Sequence, residues 1–408
     1  MLIKKTKLTH LFGNIFFNFN TIALPLGVMW SNLLSPFFLI WLIYNKRIKY
    51  LAISFLLLLS YILIQYITFE PTIIKDYFLS AFYFYSSVIV GIFFYYYSNK
   101  NSSIQNNIET TLISIIYINL ILTIFAILLY FTPFRDFMWH TSTNINSLGE
   151  VRLKLLYYEP SHSGFVFVFL SLYLLLKLAF YPSKKYLILL ILTAGSVFLG
   201  KSLGTMGAMG IAIVLGSLIY ASPLIKKYYK QFILIMAVIA LIIPLFAGSI
   251  TARLEKFIEG KDNSGNVRLL YATKSAYNMV KKYNYYFGVG FGQDKQYVTK
   301  FTSKFAGFAG NRLPNSFAST LATVGVFGIA LKYIFLFYFF FKTRVYNNLF
   351  RLITFMYLFI YSFTGGWMLN VYEFILWAFA FSQNAFSEFN RDRIFLKKQS
   401  NYKNRDIE

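Results

Sequence analysis

The sequence predicts an all-α polytopic membrane protein of about 12 transmembrane helices, with a long, partly helical outer loop between the ninth and tenth. Three observations predict it. Of 408 residues, 57% are hydrophobic and only 13% are charged, a balance that soluble domains do not show. Apolar runs of about 20 residues, enough to cross a hydrocarbon core about 30 Å thick, recur between charge clusters. Those clusters are basic and fall on alternate connections, as the distribution of Lys and Arg in short loops requires.

Taken in order, spans are expected near 50–68, 78–97, 109–131, 160–181, 186–200, 204–221, 231–248, 315–341, 348–364 and 367–387. The stretch 12–44 holds either one long helix or two short ones broken around Pro25 and Trp30-Ser31-Asn32. If it crosses twice and the chain starts inside, 21 Lys and Arg lie on cytoplasmic segments. They run from Lys4 through Lys46, Lys100, Lys184, Lys226 and Lys342 to the basic tail, 388–408. An eleven-span count would put that tail outside. Both termini are therefore expected in the cytoplasm, and the start, lacking a small-residue cleavage site, reads as a retained anchor. The whole chain, 1–408, is one integral membrane domain.

Two outer connections are long, 132–159 and 249–314. In the second, 11 basic residues face four acidic ones, a net charge of +7. Long loops translocate largely regardless of charge, so the topology tolerates this excess. Either the loop is simply solvated or it meets an anionic partner. Within it, 266–283 reads as an amphipathic helix capped by Asn266, with Arg268, Tyr271, Ser275, Asn278 and Lys282 on one stripe. That stripe faces a substrate or rests on lipid headgroups.

The net charge of +24 points to anionic lipid or an anionic substrate, and no stretch offers a soluble nucleic-acid-binding fold. Zero Cys excludes disulfides, thiolate metal sites, iron–sulfur clusters and a thiol nucleophile. The 47 Phe and 33 Tyr fit an AT-rich genome as well as they fit sugar stacking, so no single aromatic is assigned a role.

Chemistry concentrates where outer loops enter spans. In 150–164, EVRLKLLYYEPSHSG, Pro160 suits the first helical position, leaving Glu159 at the N-cap and Ser161, His162 and Ser163 in the first turn. Glu159 either complements the helix dipole or, half dry and raised in pKa, takes a proton from a sugar hydroxyl. Arg152 is near enough to pair with it or to bind phosphate. His162 caps, packs or binds substrate. Lys201, between Gly-rich spans, snorkels or adds positive field, while Gly195, Gly200, Gly204, Gly207 and Gly210 are expected to let helices pack closely. Phe287-Gly288-Val289-Gly290-Phe291-Gly292 lacks dinucleotide spacing and reads as a flexible turn with exposed backbone N–H groups. Arg312 and Asn315 stand at the next outer boundary. Glu373, inside the last span, needs a partner, and Arg152, Lys201 or Arg268 is the natural one. Snorkelling accounts for Lys177 and, less well, for Lys332.

These residues, in this order, resemble the O-antigen polymerase (Wzy) family and its relative the O-antigen ligase. The matching pieces are Arg152 followed by Tyr158-Glu159-Pro160-Ser161, the span around Ser202 and Gly204, and Arg268 leading to Gly288, Gly290 and Gly292. Asn315, followed by Gly325-Val326-Phe327-Gly328, completes them. Many relatives, ligases especially, carry His directly before that Asn, where this chain has Pro314.

The resemblance implies a glycosyltransferase in the bacterial inner membrane, active at its outer face. Its donor would be a polyprenyl-diphosphate-linked oligosaccharide and its acceptor a sugar hydroxyl of a second lipid-linked unit, with a chain-length regulator and a flippase as further partners. Diphosphate is a good leaving group that needs charge more than a proton, and the chain has no D-x-D motif, so a reaction without metal or cofactor is expected. Arg152 and Arg268 would hold the diphosphate, Lys201, Lys274 and Arg312 would add field, and Glu159 would deprotonate or orient the acceptor. Single displacement would invert the anomeric centre. A ligase is the nearest alternative. A flippase would show internal repeats and charges through a central cavity, and the sequence has no obvious repeat and few mid-span charges. A structural protein would use the basic loop only for docking.

Overall fold

The computed structural model describes residues 30–99, 104–141, 151–157, 159–221, 266–302, 312–366, 368–369 and 371–392. The expected span at 231–248, the first part of 12–44, Tyr158, the start of the long loop and most of the basic tail lie outside these residues. Among the described residues, six helices are long and apolar enough to cross a membrane. With shorter apolar helices at Leu33–Tyr44, Leu349–Thr364 and Val371–Phe381, they make this an all-α, multi-pass membrane protein.

The bundle runs α1 Trp30–Tyr44, α2 Ile48–Thr68, α3 Ile74–Asn99 and α4 Ile104–Leu129, then α5 Arg135–Met138 and a β-hairpin. The bundle resumes with α6 Pro160–Phe180, α7 Lys184–Gly200 and α8 Leu203–Ala221. Loop helices α9 Ala272–Tyr283 and α10 Asp294–Thr302 follow. Then come α11 Ser316–Lys342, α12 Leu349–Thr364 and α13 Val371–Phe381. The turns after Thr68, Leu129, Gly200 and Thr364 gather at one pole, called upper here. Those after Tyr44, Phe180, Lys342 and Phe381 gather at the lower pole.

Helix α6 is the hub, with His162 through Leu170 continuously buried. Helices of the bundle approach closely where a side chain is missing. A Cβ on Gly164 would stand 3.0 Å from Ser202 and Thr205, one on Gly91 3.2 Å from Phe374, and one on Gly216 2.7 Å from Ile353. Close packing at small residues is how helices associate where water drives nothing. The expected glycines do less of it. Gly195, Gly207 and Gly210 meet nothing within 4 Å among the described residues, and Gly200 and Gly204 make ordinary contacts.

The connection 132–159 contains an element that the sequence does not announce, the antiparallel hairpin β1 Trp139–Thr141 with β2 Val151–Leu153, in the register His140↔Arg152. Strands of three residues are too short to show an alternating pattern. Trp139 anchors the hairpin by donating its Nε1–H to Ala126 O at 2.7 Å.

The expected straight span 315–341 is broken. Gly325 has φ 67° and ψ −171° inside α11, a conformation open to glycine alone. Ser316 and Lys332 lie 16 residues apart yet touch at 3.4 Å, whereas a straight helix would separate them by about 24 Å. Phe317 and Tyr333, equally spaced, have ring centroids 6.4 Å apart. The arm 316–324 therefore folds back along the arm 326–342.

The glycine-rich turn fills the break. Val289 N donates to Ala322 O at 2.8 Å and Gly290 N to Thr323 O at 3.1 Å, while Val326 N and Phe327 N donate to Tyr285 O and Tyr286 O. Gln65 Nε2 donates to Phe287 O and Thr323 O, and the Tyr61 hydroxyl to Val324 O. Non-helical backbone at membrane depth persists only when protein satisfies it in this way. The turn expected to be flexible is thus a buried wedge. A Cβ at Gly288 would lie 2.5 Å from Thr323 O, and one at Gly292 2.3 Å from Ser80 Oγ.

Candidate active site at the upper pole

Glu159 occupies the N-cap of α6 with extended backbone, φ −144° and ψ 163°, and Pro160 takes the first helical position. Its carboxylate makes no cap hydrogen bond to the helix. Oε1 instead accepts from Ser161 Oγ at 2.6 Å and lies 3.4 Å from His162 Nε2. Capping is therefore not what this side chain does.

Burial alone would raise the Glu159 carboxyl, but His162, Ser161, Arg268 and Arg152 outweigh it and hold the carboxyl below its usual range. This corrects the expectation of a raised carboxyl ready to take a proton: His162 and Ser161 in the same turn lower it first, and Arg268 and Arg152, brought by distant segments, lower it further. It also draws Glu159, Arg152 and Arg268 into one electrostatic cluster.

Arg152 reaches the cluster through the hairpin, with His140 directly opposite. His162 is the histidine that the sequence places beside Glu159. His140 is a second, found through strand register. Burial, then Arg152 and Lys154, hold its imidazole below the usual range against the opposing pull of Glu159, which keeps it neutral near pH 7.

Arg268 stands on a π-helical turn, Val267–Tyr271, at the start of α9. Asn266 has helical φ and ψ and no side-chain cap bond, so it is not the expected N-cap. The wider π-turn shifts the phase of the helix and breaks the expected stripe: Ser275 is buried in the loop core while Asn278 and Lys282 are exposed.

Asn315, fully buried, caps α11 by accepting from Ala318 N at 2.6 Å. Its Nδ2 donates to the carbonyl of Arg268. Asn315 thus ties the carbonyl of Arg268 to the start of α11.

Lys201 ends α7 in the left-handed region, φ 46°. Its neighbour Gly200 lies against the carbonyls of Leu153 and Pro160, so Lys201 borders the same rim. Lys274 and Arg312 do not join it. Lys274 is exposed on α9. Arg312 is exposed and bears on Asp294, whose carboxyl burial pushes up while Lys295 and Arg312 pull it down.

Glu373 pairs with none of the expected cations. Its Oε1 lies 3.5 Å from Lys332 Nζ and 3.4 Å from Trp377 Nε1. The fold-back at Gly325 brings Lys332 there, and reading α11 as straight hid this. Tyr361 joins the two levels, since its hydroxyl feels Arg268, Glu159 and Glu373 together. Lys177 also does not snorkel. It is buried at the lower pole, 2.9 Å from Glu109 Oε2 and 3.0 Å from Glu388 Oε1.

The upper pole thus assembles cations around one ionised carboxylate, an arrangement able to bind a di-anion and orient a hydroxyl. Residues 188–333 match the family model described as O-antigen ligase. No curated protein and no solved structure matches the chain. The matched stretch holds Lys201, Arg268 and Asn315, and leaves Arg152, Glu159 and Glu373 beyond its limits. It supports the O-antigen ligase family, and with it a multi-pass membrane enzyme that processes lipid-linked glycans.

Proposed function

We propose that the protein transfers a glycan from a polyprenyl-diphosphate carrier to a sugar hydroxyl at the extracytoplasmic face of the bacterial inner membrane. The upper pole is that face and both termini are cytoplasmic. The carrying observation is that the hairpin bearing Arg152 and the Asn315-held turn bearing Arg268, about a hundred residues apart in sequence, flank Glu159 at the N-cap of α6 closely enough for both to act on its carboxyl.

In this reaction the bond from the anomeric carbon to the diphosphate oxygen breaks, and a bond to the acceptor oxygen forms. The arginines hold the departing diphosphate with charge-assisted hydrogen bonds, and Lys201 adds field from the rim. Glu159 accepts a hydrogen bond from the acceptor hydroxyl and orients it. As a weak base it takes the proton late, when the new bond has made that proton acidic, and His162 shares the charge. Attack from the face opposite the diphosphate inverts configuration.

Two acceptors fit this chemistry. A second lipid-linked repeat unit makes the enzyme a polymerase, the reading favoured by Pro314 where many ligases carry His. A finished outer-membrane glycolipid makes it a ligase, the reading favoured by the family match over 188–333. The glycan profile of a deletion strain tests both. Single units on the carrier are expected for a polymerase and polymer on the carrier for a ligase; units trapped in the inner leaflet would contradict both and indicate a flippase.

A further inference from the structure

Lys332 is a charged group within an apolar span that the mechanism above does not use. It sits ten residues before the lower end of α11, about 15 Å from it, too far for its own chain to reach water there. The fold-back turns it the other way. Nζ donates to Ser316 Oγ at 3.4 Å and lies 3.5 Å from Glu373 Oε1. A Cβ on Gly366 would stand 3.6 Å from both Glu373 Oε2 and Ser316 Cβ, so all four residues form one cluster.

That cluster adjoins the cation site through a single peptide. Asn315 grips the carbonyl of Arg268, and the next residue, Ser316, accepts from Lys332. Ser316 N also donates to Gly365 O at 3.0 Å, fixing this corner to the end of α12. The backbone of Arg268 and the ammonium of Lys332 are therefore tied to adjacent residues, Asn315 and Ser316.

The Lys332 contacts are also looser than those of a structural lysine. Lys177 holds two carboxylates at 2.9 and 3.0 Å with 7% of its side chain exposed, whereas the Lys332 contacts are 3.4 and 3.5 Å and 25% is exposed. An ammonium in the middle of an apolar span, loosely paired and partly open, is suited to exchanging its carboxylate for an incoming anion.

We propose that Lys332 is a third cation of the donor-diphosphate site, held by Glu373 and Ser316 until a phosphate oxygen replaces the carboxylate. This rests on the reading of the upper pole as a lipid-diphosphate site. Polyprenyl diphosphate without glycan is the probe, its binding measured against polyprenol with the full chain in nanodiscs.

Removing both charges, in Lys332→Met with Glu373→Leu, should weaken binding about 10-fold, because an ion pair replaced by apolar groups of similar volume leaves stability nearly unchanged. Glu373→Gln alone, which frees the ammonium and keeps the shape, should tighten binding severalfold. Wild-type affinity in the folded double variant would overturn the proposal. If that variant does not fold, unchanged or weaker binding by Glu373→Gln overturns it instead. Arg268→Ala separates the two levels. If it abolishes binding while the Lys332 variants bind normally, only this inference fails, and if wild type does not prefer the diphosphate to polyprenol, the reading beneath it fails too.

Discussion

The two poles solve the problem of charge in an apolar bundle in opposite ways. At the lower pole the buried cations are enclosed: Lys177 lies between Glu109 and Glu388, with Tyr186 also donating to Glu109 at 2.7 Å. Buried Arg351 spends its guanidinium on Ala380 O, Thr343 O and Thr343 Oγ1. At the upper pole Arg152 and Arg268 bear on a single half-buried carboxylate, with Lys201 on the rim. Enclosed charge ties helices together, while charge in excess of its counter-ions at a rim is available to a ligand.

Substitutions can break this comparison, and the largest effect is expected at Arg268. Arg268→Ala should lower glycan transfer about 100- to 1000-fold with little change in folding, because Asn315 holds the carbonyl of that residue and not its side chain. Transfer at wild-type rate, measured as product on a glycan gel, would remove the diphosphate role. Glu159→Gln comes next, lowering turnover about 100-fold while leaving donor affinity within a few-fold. Because surrounding cations depress its carboxyl, wild-type activity should fall on the acid side only below the ordinary carboxylate range. An acid limb near neutrality that disappears in Glu159→Gln would reverse that sign.

Lys177→Met should show the converse pattern. Leaving two carboxylates without their cation costs about 3–5 kcal/mol of stability, read as a lower melting temperature, while turnover per folded molecule stays near wild type. A selective loss of turnover would merge the two poles functionally. The smallest effect is expected from Lys274→Ala and Arg312→Ala, each within about two-fold of wild-type transfer, as for an exposed, screened charge.

What the sequence made legible follows from the range of each interaction. Apolar runs and basic turns are local properties, so the helices near 50–68, 78–97, 160–181 and 348–364 are found where expected. The N-cap position of Glu159 behind Pro160 was equally local. The roles of Lys332, His140 and Asn315 were not, because each depends on a partner supplied by a fold-back, a strand register or a distant loop. Gly325 shows the limit most plainly. One glycine in an apolar run looks like any other, and only the wedge of Gly288 and Gly290 against it reveals a helix break. The depressed carboxyl of Glu159 is only partly hidden in this way: His162 and Ser161 are local, while Arg268 and Arg152 come from a π-turn and a hairpin.

The account stands most directly on transfer by the purified protein in liposomes supplied with polyprenyl-diphosphate-linked glycan on one face. It predicts one new glycosidic bond for each polyprenyl diphosphate released, with both products lost in Arg268→Ala. Movement of intact lipid-linked units to the opposite leaflet, with no new bond and no released carrier, would contradict it.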